Sequence, residues 1–391
     1  MNRRKKDSAG HRASQTRTIK ANKGTFAARW NIKLFRALQD ALIKDPESDI
    51  SALLPTNYSE KLKAHKTGNE NSNPELVPET QPCDAGRSTC DDVRSRLHAT
   101  DSYDEIVKPS PELSDLLSRH GNGSHAIIGL LAKAEVVYKS AWAASVCVFR
   151  VSDSIAVKVT GVKFAKTEIG SLLYLQKHLP SLPTPRPHGM VRLGAFTLLF
   201  TAFIPGLDLE RAWPQLDDDQ KRDVSVQLDK YLQTLRALPF PPHLDLGGVQ
   251  KEGCKDARRG VRVNAEPIVN AKQFEDFIFA GSNTASPLYT GLLRGFLPKG
   301  EPKCVFTHGD IRPANIMVQE KGDGGWTIAA VIDWETSGFY PEYWESIKMT
   351  NTLTATETFD WYNYLPESVS PKNYAIQWLV DRVWDRSLVN S

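Results

Sequence analysis

No window of this sequence approaches the ~18 uninterrupted apolar residues that a membrane-spanning helix needs. The longest candidate, Ala126 to Ala132, stops at Lys133. Cysteine is scarce as well: Cys83, Cys90, Cys147, Cys254 and Cys304 are odd in number, scattered, and lack the paired spacing of a zinc site. No secretory apolar segment opens the chain, so the expected setting is reducing, intracellular and cytoplasmic. No G-x-G-x-x-G occurs between the first strand-like runs, where Lys139-Ser140-Ala141-Trp142-Ala143-Ala144-Ser145 stands instead.

Acidic residues are nearly absent from the first 39 positions, which hold eleven Lys and Arg against Asp7. The rest of the chain is net acidic, which argues against a nucleic-acid partner for the folded part. The opening Arg3-Arg4-Lys5-Lys6 suits a solvated arm, a nuclear-localisation patch or a transit peptide, and the sequence does not choose among them. Behind it, Phe26, Trp30, Leu34, Leu38 and Leu42 recur every four residues and predict an amphipathic helix ending before Pro46. Residues 46 to about 100 are rich in Asn, Ser, Pro, Glu and Thr. Their apolar content is too low to offset the entropy of ordering, and a disordered linker is expected.

From Glu135 the pattern turns to strands: Val136 to Tyr138, Ser145 to Arg150 and Ser154 to Thr160. In the third, Ile155, Val157 and Val159 share one face and Lys158 projects from the other beside Ala156. A helix is expected from about Ala165 to His178, with Glu168 near its start. An apolar strand, Phe196 to Thr201, runs into Ala202-Phe203-Ile204-Pro205-Gly206. Asp217 and Gln220 form the capping-box opening of a helix reaching Leu238.

The richest stretch is Thr307-His308-Gly309-Asp310-Ile311-Arg312-Pro313-Ala314-Asn315-Ile316, followed by Val331-Ile332-Asp333-Trp334-Glu335. Gly322-Asp323-Gly324-Gly325 between them supplies a hairpin turn joining strands at 316–319 and 327–332. A turn centred at 324 sets Asn315 opposite Asp333 at the open end, with Asp310 five residues earlier in the adjoining loop. Two hard oxygen ligands beside a free carboxylate are the parts that Mg²⁺-dependent phosphoryl transfer requires.

The wording H-G-D-x-x-x-x-N followed by I-D-W-E resembles the aminoglycoside phosphotransferase and choline kinase family, and the longer phrase from Ile332 to Glu345 resembles its fungal-type members. The resemblance extends over roughly residues 135 to 390. It implies an α+β, two-lobed protein-kinase-like fold. The chain then divides into an N-terminal extension (1–100), a small β-rich, nucleotide-binding N-lobe with leading helices (101–205) and a larger helical C-lobe with the catalytic loop and acceptor site (206–391). It implies ATP and Mg²⁺ as cofactors and a small-molecule hydroxyl acceptor as partner. Asp310 is then the catalytic base and Asn315 and Asp333 the metal ligands. Lys158, Glu168 and Arg312 meet the nucleotide phosphates directly or through one another, and Phe203 lies at the hinge where adenine meets backbone. Glu335, Glu342 and Glu345 would suit a cationic acceptor. Gly309 replaces the arginine of protein kinases, and no A-P-E follows Asp333, so a protein substrate is the weaker expectation. A nucleotide-binding module without turnover is the competing one.

Overall fold

The computed structural model describes residues 92–140, 146–256, 262–264, 266–280, 282, 285–322 and 324–389, with scattered positions between 31 and 62. Two compact units are present, Met1–Gly86 and Arg87–Ser391. In the first, Asn31, Leu34, Phe35, Leu38 and Ala41 are helical, within the expected amphipathic segment. Phe26, Trp30, Leu42, the basic arm, most of the expected linker and the 141–145 loop lie outside the described residues. The second unit begins earlier than the expected boundary at 100. Asp92 caps a single 3₁₀ turn, Val93–Arg96. Val93 and Leu97 are buried among Ile127, Leu130, Phe149 and Val191. Arg94 ties this turn down by donating to the carbonyls of Leu131 and Ala134 at 3.2 and 3.1 Å.

The first lobe of the second unit runs β1 (Tyr103–Val107), α1 (Pro111–Ser118), α2 (Gly123–Ala132), β2 (Glu135–Lys139), β3 (Cys147–Arg150), β4 (Ile155–Thr160), α3 (Val162–His178), β5 (Pro187–Leu193) and β6 (Phe196–Ala202). Its strands form a six-stranded sheet in the order β1-β5-β6-β4-β3-β2, every pair antiparallel. The run Ile-Ala-Val-Lys-Val-Thr is β-branched at alternate positions, as an inner strand covered on both faces should be. Ile155, Val157 and Val159 pack on Phe149, Val191, Leu198 and Phe200. Lys158 stands on the opposite face. There α3 lies against the sheet through Ala165 and Ile169, which meet Met190 and Leu199. Strand β2 closes one edge and is exposed along its whole length.

Past the hinge come β7 (Leu207–Asp208), α4 (Asp218–Arg236), β8 (Lys255–Asp256), β9 (Arg262–Val263), α5 (Ala271–Ile278), α6 (Pro287–Phe296), β10 (Cys304–Thr307), β11 (Ile316–Glu320), β12 (Trp326–Val331), β13 (Gly338–Pro341), α7 (Trp344–Met349) and α8 (Ala375–Val389). The start of α4 is the capping box its sequence implies: Gln220 N–H donates to Asp217 Oδ1 at 2.8 Å, and Asp217 N–H to Gln220 Oε1 at 2.9 Å. Its buried stripe of Val224, Leu228, Tyr231 and Leu235 shares a core with Phe306, Ile311, Ile316 and Trp334. The catalytic-type loop and the β11–β12 hairpin are therefore anchored on the longest helix of the lobe.

The hairpin register departs from expectation. Glu320 faces Trp326 and Gln319 faces Thr327, but Ile316 faces Val331, with a bulge between Met317 and Val318. At the open end Ile332 N–H donates to Asn315 O at 2.9 Å, so Asn315 faces Ile332 rather than Asp333. The turn is displaced from the centre inferred from its glycines, and the bulge absorbs one residue of that shift.

Candidate active site

Asp333 lies two residues past the end of β12 and adopts φ +68°. Few residues other than glycine take this left-handed conformation, and aspartate is among the more tolerant. Its carboxylate accepts a hydrogen bond from Lys158 Nζ. The same ammonium reaches Glu168 Oε2 and Glu335 Oε2, each at 2.8 Å. Oxygens of Glu168, Asp333 and Glu335 lie within 4.8 Å of one another. Helix α3 begins at Val162, so Glu168 sits well inside it and is buried; the helix dipole does not explain its place. The lysine does.

Burial works against the Lys158 ammonium, yet Asp333, Glu168 and Glu335 together outweigh it and hold its pKa well above the usual value. Burial also works against the Asp333 carboxylate, but Lys158 holds it below the ordinary range. For Glu335 burial wins, reinforced by the Asp333 charge, and its carboxyl is pushed up to about 7. Burial raises the Glu168 carboxyl as well, with Lys158 opposing, so one cation serves three crowded carboxyl groups.

Asp310 belongs to a second group. Asn315 Nδ2 donates to Asp310 O at 2.8 Å and to Asp310 Oδ2 at 2.9 Å, and Arg312 Nε lies 3.3 Å from that Oδ2. With its NH₂ spent on Asp310, Asn315 keeps its Oδ1 for another partner. The Asp310 side chain is 38% exposed and can be reached from outside. Burial raises its pKa, with Arg312 opposing and Asp333 adding to the rise. Arg312 is 47% exposed.

The loop that holds Asp310 is fixed from behind. His308 is fully buried and accepts the Asp310 N–H at Nδ1, 3.2 Å. That assigns the ring proton to Nε2, which donates to Ile332 O at 3.0 Å. Burial keeps the imidazole pKa below its usual value. Gly309 has φ +81°, and a Cβ there would stand 2.9 Å from Thr336 O, so a longer side chain such as the arginine of protein kinases has no room. Glu345 of α7, 1% exposed, accepts from His308 N–H at 2.7 Å and Gly309 N–H at 3.2 Å. This corrects the expectation for the acidic residues. Glu345 braces the loop and cannot face an acceptor, and Glu335 is engaged by Lys158.

The structure thus brings Lys158, Glu168 and Asp333 into one cluster, and Asp310, Asn315 and Arg312 into another. Phe203 joins neither. Its N–H donates to Ser154 O at 2.8 Å, and its ring lies 4.7 Å from the Arg150 guanidinium. Glu335 is visible in the I-D-W-E wording, but its partner is Lys158 rather than an acceptor. The bracing role of Glu345 had no local signal, because its partners lie 36 and 37 residues away.

Fold and site together define a kinase-like phosphotransferase. The model of the phosphotransferase enzyme family matches residues 162–368, and the chain belongs to this family. No curated protein matches it. Among solved structures it is similar to an aminoglycoside-3′-phosphotransferase of type VIII, with 18% identity, 65% of this chain and 92% of that chain covered, and a TM-score of 0.42. An aminoglycoside phosphotransferase from Streptomyces rimosus is 17% identical, with coverages of 67% and 96% and a TM-score of 0.40. A protein described as a fructosamine-3-kinase, from Haemophilus somnus, is 11% identical, with coverages of 70% and 90% and a TM-score of 0.38. Among the described residues no helix is long and apolar enough to cross a membrane.

Proposed function

We propose that this protein transfers the γ-phosphate of ATP to a hydroxyl of a small molecule, with Mg²⁺ as cofactor. The observation that carries the reading is the reach of Lys158 from β4 of the first lobe to Asp333, two residues past β12, in the second. A strand lysine paired with a helix glutamate, beside an acidic residue that closes a hairpin, is the arrangement that phosphoryl transfer uses to hold nucleotide phosphates.

The donor set fits a hard divalent cation. Asp333 offers a carboxylate held ionised by Lys158, Asn315 an amide oxygen, and the oxygens of Glu168 and Glu335 lie close to that carboxylate. Mg²⁺ held there by Asn315 and Asp333 would neutralise charge on the phosphate oxygens. When the nucleotide enters, Lys158 keeps Glu168 and turns its remaining N–H bonds from Asp333 and Glu335 to phosphate. Asp310 accepts the proton of the acceptor hydroxyl and is held in line by Asn315 and by the His308 ring. Arg312, exposed beside Asp310, faces the charge that develops on the transferred group. The hinge at Phe203 takes the adenine, and the first lobe (to residue 205) serves the nucleotide while the second serves the acceptor.

Phosphate transfer from ATP across amines, aminoglycosides, choline analogues, amino acids and sugars tests this reading and names the acceptor. Mg-ATP binding without transfer to any of them would favour a non-catalytic nucleotide-binding module.

A further inference from the structure

Lys255 is 2% exposed, and among the described residues no carboxylate lies within ion-pair distance of it. Its Nζ donates to Lys163 O at 3.1 Å and to Thr167 Oγ1, both on α3. Thr167 immediately precedes Glu168. The Lys255 N–H donates to the hydroxyl of fully buried Tyr340 at 3.0 Å. The next residue, Asp256, points the other way. Its Oδ1 lies 3.1 Å from Lys348 Nζ on α7, and its Oδ2 lies 2.6 Å from Arg262. Helix α7 is the element whose Glu345 holds the His308 and Gly309 N–H groups. Two residues of β8 therefore join the helix of Glu168 to the helix that braces the Asp310 loop.

A buried ammonium satisfied only by neutral oxygens is a costly way to fill space, and an apolar side chain of similar volume would pack there at lower cost. What the ammonium adds is reach and direction toward a single turn of α3. Other contacts fix the same helix from the same side: Ser337 Oγ meets Ser171 Oγ at 2.7 Å, and the Gln250 and Glu252 side chains lie against Gly170.

We infer that β8 is a strut coupling α3 to the catalytic loop, and that Lys255 is a positioning residue that sets Glu168 against Lys158. The inference rests on the phosphotransferase reading. It makes α3 a permanently docked helix, so that the Lys158–Glu168 pair is assembled before nucleotide arrives.

The test uses the full chain and reads binding of a non-hydrolysable ATP analogue with Mg²⁺ by calorimetry, so no acceptor is needed. Lys255→Met is expected to weaken binding roughly tenfold, the scale of one lost charge-assisted hydrogen bond. In a Glu168→Gln background the same change should weaken it no further, because Lys255 acts through Glu168. Amide exchange should quicken in α3 and not in α4. Thr167→Val, which removes only the hydroxyl acceptor, should give a smaller loss with the same dependence on Glu168, and it serves if Lys255→Met does not fold. Equal losses in both backgrounds, or no loss in either variant, overturn the inference. A wild-type chain that binds no nucleotide overturns the phosphotransferase reading itself and this inference with it.

Discussion

At the scale of single residues, the two carboxylates of the site differ in their partners, and that difference separates their roles. Asp333 is paired with a lysine, whereas Asp310 is held by an amide and reachable from outside. Asp310→Ala should lower phosphate transfer by ~10²–10⁴ while leaving Mg-ATP affinity nearly unchanged. Weaker nucleotide binding with unchanged turnover would reverse the assignment. Gly309 is a conformational requirement. Gly309→Ala should cost roughly 1–3 kcal/mol of stability from the left-handed backbone alone, and more from the contact with Thr336 O. Urea unfolding of the variant measures it, and a stability equal to wild type would show that the loop relaxes. The pairing of Asp310 with Asn315 was legible in the sequence because the two lie five residues apart in one short loop. The bulge in the hairpin, which sets Asn315 opposite Ile332 rather than Asp333, left no local signal. Glu345 and Lys255 were not legible either, because their partners are set by tertiary packing across long separations.

At the scale of elements, strands with one polar and one apolar face, or with β-branched runs, announced themselves, as β4, β6 and β12 show. Strand β5 did not. It begins at Pro187 and carries Gly189 at a bulge with φ +147°, where a Cβ would come within 3.0 Å of Pro109 Cα. Both residues read as loop in the sequence, yet a proline can open a strand and a glycine can admit a close backbone. The short β8 likewise lacks any periodic signal, and its importance lies in Lys255. Burial pushes the Lys255 pKa down to about 8, while Glu252 and Glu335 partly oppose this and Lys163 adds to it. Below pH 8 the lysine is charged both folded and unfolded, and the burial penalty is constant. Between about 8 and 10.5 only the unfolded chain keeps the proton, so stability rises with pH. The stability of wild type minus that of Lys255→Met should therefore climb by on the order of 3 kcal/mol across that window. Denaturant titrations at pH 7.5 and 10.5 measure it, and a flat difference would refute it.

At the scale of the whole molecule, the division between Gly86 and Arg87 fixes where the chain can be cut. Removing residues 1–86 should leave a cooperatively unfolding protein. Removing residues 1–100 also takes Val93 and Leu97 out of the first lobe, at ~1.5–3 kcal/mol for each buried side chain. Calorimetric melting of the two truncations should differ accordingly, and coincident melts would show that the 3₁₀ turn is dispensable. The sequence hid this because two apolar residues among charged ones, in Asp91-Asp92-Val93-Arg94-Ser95-Arg96-Leu97, look like linker until their partners are known. The far edge of the same sheet has its own consequence. Among the described residues strand β2 pairs with β3 alone, and its Val136, Val137 and Tyr138 are exposed between the charged Glu135 and Lys139. Such an edge is a template for strand addition between folded molecules, so storage at high concentration is expected to favour edge-to-edge growth there without prior unfolding.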